Sequence, residues 1–390
     1  MKIKLKQAFD LQMGKTPARN QAENWGGNHR WVSIADIGNA EKYIAKTKEC
    51  ITDAGINASG IKVVPQGTVI MSFKLSIGKT AITAQDMYTN EAIIAFIDKK
   101  IFEIDPNYLY HLCCGTDWTA GTNKAVMGLT LNKATLLEKE ISLPDICQQR
   151  KIAAKLDKID AIIADRQQQL TMIEQAVKSR FIELFGNYIN EGGKPLSELA
   201  TITGGLTKNS KRNAFNLKMP YLRVANVFFN RLDLNEILEI GVREDEIGKT
   251  LLQTGDLLFV EGNGSIEQIG RVAIWDGSIS PILHQNHLIK ARFHKKTILP
   301  EFALFYFMSQ EGRQQIISKS VSTSGLNTLS VNKISSLILP MPPIELQKQF
   351  AAFVAQTDKS KYYSQKFLTL CRSAVNIYEQ EWMKCQTLIF

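Results

Sequence analysis

Two segments of this chain run for 41 and 42 residues without a glycine or a proline, and both repeat apolar residues at alternating steps of four and three. In the first, Asp145–Phe185, the repeating positions are Ile152, Leu156, Ile159, Ile163, Arg166, Leu170, Ile173 and Val177. In the second, Ile344–Cys385, they are Phe350, Val354, Thr357, Lys361, Ser364, Leu368, Cys371, Val375, Tyr378, Trp382 and Cys385. Such spacing keeps one stripe on one side of a helix, which is a heptad seam. Pro144 and Gly186 punctuate the first segment, so the reading ends that helix at Phe185. A helix of this size is roughly 60 Å long at 1.5 Å per residue, too long for an ordinary core. Two of them, nearly equal in length, suit one antiparallel coiled coil, with the polar stretch Thr357, Lys361 and Ser364 helping to set register. An ordinary long core helix is the alternative, which the length and the second copy disfavour.

The remaining chain falls into two lobes, 1–143 and 187–341, with the helical segments at 144–186 and 342–390. Both lobes hold short β-branched and aromatic runs between Gly, Asn and Asp turns. Strands are expected near Lys62–Ile70, Glu91–Ile97, Asp256–Val260 and Gly270–Trp275, and a helix near Glu301–Lys319. With 390 residues and 44% hydrophobic composition, each lobe has material for a real core. The fold class expected is α/β, with two similar α+β lobes joined by two long helices in an antiparallel coiled coil.

The order lobe, helix, lobe, helix prompts a search for duplication. Six segments recur in the same order. GKTPARN (Gly14–Asn20) matches GLTKNSKRN (Gly205–Asn213), and HRWVSIADI (His29–Ile37) matches MPYLRVANV (Met219–Val227). Val63–Ile82 matches Leu251–Ile274, Asn90–Phe96 matches Asn286–Phe293, and Leu129–Pro144 matches Leu329–Pro342. IAAKLDKID (Ile152–Asp160) matches FAAFVAQTD (Phe350–Asp358). The chain reads as two copies of one lobe-plus-helix unit, an internal pseudo-two-fold repeat. A shared scaffold with divergent loops means one task performed on two targets.

With these motifs in view, the chain resembles the specificity subunits of Type I restriction-modification systems. GKTP followed by WGG and RWVSIADI, and LP followed by QQRKIAAKLDKIDAII, carry the resemblance, with eroded counterparts in the second copy. It covers essentially all of the chain. The second lobe lacks the WGG and the GKTP proline, and its helix opens with the degenerate PIELQKQFAAFV. The resemblance implies two target recognition domains, each reading half of a bipartite sequence in double-stranded DNA, with the helices setting the spacer. It also implies partners: two modification subunits that carry the adenine methyltransferase, and restriction (motor-nuclease) subunits. Cofactors are expected on those partners, S-adenosylmethionine and ATP, and none in this chain.

Net charge is +9, a mild lean toward an anionic partner. Each lobe holds 17 basic and 14 acidic residues, so +3. Gly205–Arg231 contains Lys208, Lys211, Arg212, Lys218, Arg223 and Arg231 without one acidic residue. The corresponding first-lobe stretch, Leu11–Ala35, has Lys15, Arg19 and Arg30 against Glu23. Basic residues at matching repeat positions suit phosphate anchoring. For base reading the candidates are Lys74 and Lys79 in the first lobe, and Asn263, Arg271 and Asn327 in the second, because their donors match base edges. For any single one of these, a plain solvated side chain is the competing reading.

The chain reads as non-catalytic. The two GKT triplets lack the upstream P-loop glycine, with Phe9 and Phe73 in its place. There is no Asn-Pro-Pro-aromatic tetrapeptide. His284 and His287 are three apart without a third ligand nearby and read as structural. Six cysteines without a CxxC pair read as reduced thiols. The N-terminus reads as lacking a signal peptide, and no apolar run approaches bilayer length, so the expectation is a cytoplasmic protein without a membrane partner. The alternatives from other classes are a coiled-coil protein-interaction scaffold and an enzyme with a methyltransferase hidden in one lobe.

Overall fold

The computed structural model describes residues 1–74, 76–119, 131–294, 297–323 and 325–384. The two glycine-free segments are helices, α1 (Ile146–Asn190) and α2 (Ile344–Lys384). On α1 the seam positions from Ile152 to Val177 are buried or half-buried, with exposed residues between most of them. On α2 the same holds from Phe350 to Val375; the side chains of Tyr378 and Trp382, and all of Cys385, lie outside the described residues. The chain divides into two compact units, 1–167 with the chain from 365 onward, and 168–364. The first half of α1 therefore shares a unit with the last part of α2, and the second half of α1 with the first part of α2, which is antiparallel pairing. In the first unit the Arg166 guanidinium lies 5.4 Å from the Phe367 ring centre. In the second, the Phe350 ring sits 5.3 Å from Phe181 and 5.5 Å from Phe185.

Gly186 does not end α1, as the sequence reading had it. The helix runs through it to Asn190 and stops before Gly192, whose φ of 91° is left-handed. A glycine inside a helix costs only about 1 kcal/mol. The apolar face continues past it, with Phe181, Phe185, Leu184 and Ile189 all packed into the second-lobe core. That burial outweighs the glycine.

In the first lobe a five-stranded sheet has the order β1 (Phe9–Met13), β8 (Ile93–Asp98), β5 (Val69–Ser72), β6 (Thr80–Thr83), β3 (Tyr43–Ile44). A three-stranded sheet has β2 (Trp25–Val32) between β4 (Glu49–Ile51) and β7 (Tyr88–Thr89). The second lobe repeats this plan. Its larger sheet is β9 (Ala200–Gly204), β15 (Leu288–Phe293), β12 (Leu257–Val260), β13 (Val272–Ile274), and its smaller one has β10 (Lys218–Leu222) between β11 (Leu238–Gly241) and β14 (Leu283–His284). In each small sheet the middle strand pairs antiparallel on one side and parallel on the other. Most of the matched segments lie on matching strands and helices; Leu75, Leu129 and Thr130 lie outside the described residues. The duplication is thus present in the topology. Gly14 and Gly205 show why one residue type recurs: a Cβ at either would lie 1.9 Å from the Thr89 carbonyl or 2.0 Å from that of His284.

Two expected elements are shorter than their sequence pattern. Pro65 and Gly67 (φ 77°) break Lys62–Ile70, so the strand begins at Val69. Glu301–Lys319 is two helices, Pro300–Met308 and Gln310–Lys319, because Ser309 takes an extended conformation and its hydroxyl caps the second by accepting from the Gly312 amide.

Each long helix is fastened to its own lobe by a fully buried glutamine. The Gln149 side chain donates to the Glu103 and Pro144 carbonyls, both at 2.9 Å, and accepts from the Asp105 amide at 2.9 Å. Gln347 does the same with the Thr297 and Pro342 carbonyls at 3.0 and 2.8 Å and the Leu299 amide at 2.8 Å. Removing either would leave three backbone groups without this partner. Gln149→Ala and Gln347→Ala are expected to lower stability by comparable amounts, about 1–3 kcal/mol each, in denaturant unfolding of the full chain.

Candidate nucleic-acid interface

The loop after β1 carries the first basic candidates. Close backbone approach at Gly14 lets the Lys15 amide bond the Thr89 carbonyl at 2.9 Å. The Lys15 ammonium donates to the Ser59 carbonyl at 2.9 Å, and the Trp31 indole donates to the Lys15 carbonyl at 3.0 Å. Lys15, Thr16, Gln21, Ser59 and Glu91 line an open cleft of about 580 Å³. Beside it the Arg19 guanidinium stacks 4.0 Å from the Trp25 ring and holds both oxygens of Glu49 at 2.5 and 3.1 Å. The WGG motif shapes this corner: β2 bulges between Trp25 and His29, and a Cβ on Gly27 would lie 2.4 Å from the Ile51 carbonyl. Arg30 makes a 3.5 Å contact with the Cys50 sulfur. Lys74 and Lys79 lie on the β5–β6 connection, with the Lys74 ammonium 5.3 Å from the Phe73 ring centre and the Lys79 ammonium against Gly38. Among the described residues neither meets a carboxylate.

In the second lobe the basic stretch divides. Lys208 and Lys211 are exposed and meet no carboxylate among the described residues. Arg212 does not belong with them. It is buried, donates to the Thr207 and Gly241 carbonyls at 2.6 and 3.0 Å, and grips both oxygens of Glu246 at 2.9 and 3.0 Å. That bidentate bond pulls the Glu246 carboxyl down to about 2. Arg212 is therefore spent on the fold. Arg223 is also engaged, 2.7 Å from Glu236. Asn263 and Asn327, chosen separately from the sequence, face one another across a strand pair, and the Asn327 amide donates to the Asn263 and Gly264 carbonyls at 3.3 Å. Arg271 lies 5.2 Å from the Phe228 ring centre. The sequence reading did not single out Phe228 and Phe229, which form a hairpin with Arg231; the signal was Asn230, which takes φ 47° at its turn.

His284 and His287 point to different partners. His284 is fully buried with Nδ1 2.7 Å from the Thr250 carbonyl, and desolvation pushes its pKa down to about 4. His287 pairs with Glu261 at 2.7 Å.

The model of the Type I restriction modification DNA specificity domain matches this chain twice, over residues 1–175 and 193–366. The chain belongs to this family. Among characterised members it is 24% identical over 383 residues to the MjaIX specificity subunit of Methanocaldococcus jannaschii, covering 90% of this chain and 85% of that one. It is 30% identical over 238 residues to the EcoKI specificity subunit of Escherichia coli K12, covering 55% of this chain and half of that one. In fold it resembles the Type I S subunit from M. genitalium, with a TM-score of 0.54, 14% identity, and 97% and 94% of the two chains covered. It also resembles a chain solved in a study of complex assembly and conformational transition of a type I system, with a TM-score of 0.59, 15% identity, and 98% and 96% covered. Among the described residues no helix is long and apolar enough to cross a membrane.

The two match limits split this specificity protein as the topology does, each holding one lobe and part of one helix. Within the second lobe, the geometry separates Lys208 and Lys211 from Arg212 experimentally. Replacing both lysines by alanine is expected to weaken binding to all DNA sequences alike and to reduce the slope of log affinity against log salt by roughly 2. Arg212→Ala is expected to destabilise the lobe instead. Because the folded pKa of Glu246 lies below its ordinary 4.5, the Arg212 contact stabilises above that pH and is lost as pH falls toward 2. Acid titration of folding should therefore lose part of its slope between pH 4.5 and 2 in the Arg212→Ala chain.

Proposed function

We propose that this chain is the non-catalytic, sequence-reading subunit of a Type I restriction-modification complex, with each lobe reading one half of a bipartite DNA target. The observation that carries this reading is one lobe topology present twice, each copy joined to a long helix by the same buried glutamine contact. A reader of two sites on one face of a duplex must hold its elements about one helical turn apart, roughly 34–36 Å. Two long paired helices are a scaffold of suitable length. On this reading α1 and α2 are the ruler for the unread base pairs. Two modification subunits bring the adenine methyltransferase and S-adenosylmethionine, and restriction subunits bring ATP-driven translocation and cleavage, all in the cytoplasm. The specificity-family match favours DNA over the purely protein-binding scaffold.

Mapping methylated adenines in cells with and without this chain is expected to reveal a two-part motif with an undefined middle that appears only with the chain. A short continuous motif would contradict the two-reader arrangement. Inserting seven residues into both helices, in the heptad phase, lengthens each by about 10 Å, or about three base pairs of duplex. The unread spacer should widen accordingly, with both half-sites unchanged. An unchanged spacer would remove the helices as the ruler.

A further inference from the structure

The second lobe has seven arginines. Four are ion-paired: Arg212 with Glu246, Arg223 with Glu236, Arg243 with Asp245 and Glu246, and Arg292 with Asp256. The other three, Arg231, Arg271 and Arg313, meet no carboxylate among the described residues. Those three are the ones stacked on the Phe228–Phe229 hairpin. Arg231 lies 4.2 Å and Arg271 5.2 Å from the Phe228 ring centre, and Arg313 lies 5.0 Å from that of Phe229. Three unneutralised guanidinium groups on two adjacent rings repel one another and favour an anionic partner.

Their remaining bonds assign different tasks. Arg313 donates to the Ile269 and Glu267 carbonyls at 2.6 and 3.1 Å, which ties down the loop leading to Arg271. Arg271 is half-buried, with one long 3.4 Å bond to the Val224 carbonyl. Arg231 is exposed, and its guanidinium makes no hydrogen bond or ion pair among the described residues. Stacking orients such a fork without using its donors. The hairpin is itself anchored, since the Asn230 amide donates to the Val272 carbonyl at 2.9 Å. It has no counterpart among the described residues of the first lobe, where the same stretch forms the helix Ile34–Asn39 and the edge strand β3. In a duplicated reader, what differs between copies is where different targets are told apart.

We propose that the Phe228–Phe229 hairpin is a specificity element of the second lobe, with Arg231 selecting a guanine in its half-site and Arg271, Arg313 and Phe228 as positioning residues. A planar fork of donors matches guanine O6 and N7 two-pronged in a fixed geometry, which an ammonium on a flexible stem holds less well. The proposal rests on the bipartite-reader function and adds to it which residue reads and which base it takes.

The test uses the assembled complex with its modification subunits. Affinity is measured for duplexes carrying each of the four bases at every target position, for wild type, Arg231→Ala and Arg231→Lys. Arg231→Ala is expected to lose guanine preference at one position of one half-site by on the order of tenfold, and Arg231→Lys to lose part of it at the same position, with the other half-site unchanged. Arg231→Lys should keep its affinity for random duplex, which also guards against a folding defect in the alanine variant. Wild-type base preferences in both variants would overturn the proposal, as would an equal loss on all sequences, which marks a phosphate contact. A wild-type complex with no base preference in one half would overturn the bipartite reading itself, a failure distinct from that of Arg231.

Discussion

A long helix is useful as a structural member only if its rotational phase is set where it leaves its lobe. In both copies that phase is set by a buried glutamine, Gln149 or Gln347, with three hydrogen bonds to three separate backbone groups. Turning either helix by one residue, roughly 100°, would withdraw the buried amide from three backbone groups. The seams of α1 and α2 therefore face a fixed direction relative to the sheets. In the second unit, Phe181 and Phe185 of α1 pack on Phe302, and Phe350 of α2 packs on both of them and on Phe305.

The first lobe meets α1 differently. Asp157 of α1 takes Lys42 at 2.5 Å and the buried His111 at 2.7 Å, where the second lobe offers an aromatic cluster. Burial lowers the His111 pKa, so the pair rests on a hydrogen bond between a mainly neutral imidazole and a carboxylate. The two lobes share a plan of strands while their contacts and loops have diverged. The same division runs through the arginines of the second lobe, four of which are ion-paired while three stack on a hairpin without a counterpart among the described residues of the first lobe.

What could be read from the sequence follows from how far each cause reaches along the chain. The seams were legible because heptad spacing is a local property, and the named positions from Ile152 to Val177 and from Phe350 to Val375 are buried or half-buried. The repeat was legible because Gly14 and Gly205, and the turn before each long helix, are backbone requirements that tolerate few residue types. The end of α1 was misread: Gly186 is a local stop signal, but it yields to packing of Phe185 and Ile189 on a core formed by distant strands. Arg212 looked like its neighbours Lys208 and Lys211 because its partner, Glu246, is 34 residues away. Asn263 and Asn327 were picked one by one, and only the strand pairing puts them together. The Phe228–Phe229 patch was missed because it needs a hairpin, a strand and a helix from three separate stretches of chain.

The central claim is that two lobes read two separate pieces of DNA at once. The most direct measurement is competition binding by the assembled complex against duplexes in which one half of the mapped motif, then the other, is scrambled with the spacer kept. The account predicts that either scramble alone reduces binding toward the non-specific level, and that exchanging the second lobe for that of another specificity chain changes only one half of the preferred sequence. If scrambling one half left affinity unchanged, or if the lobe exchange altered both halves together, the two-reader account would be wrong.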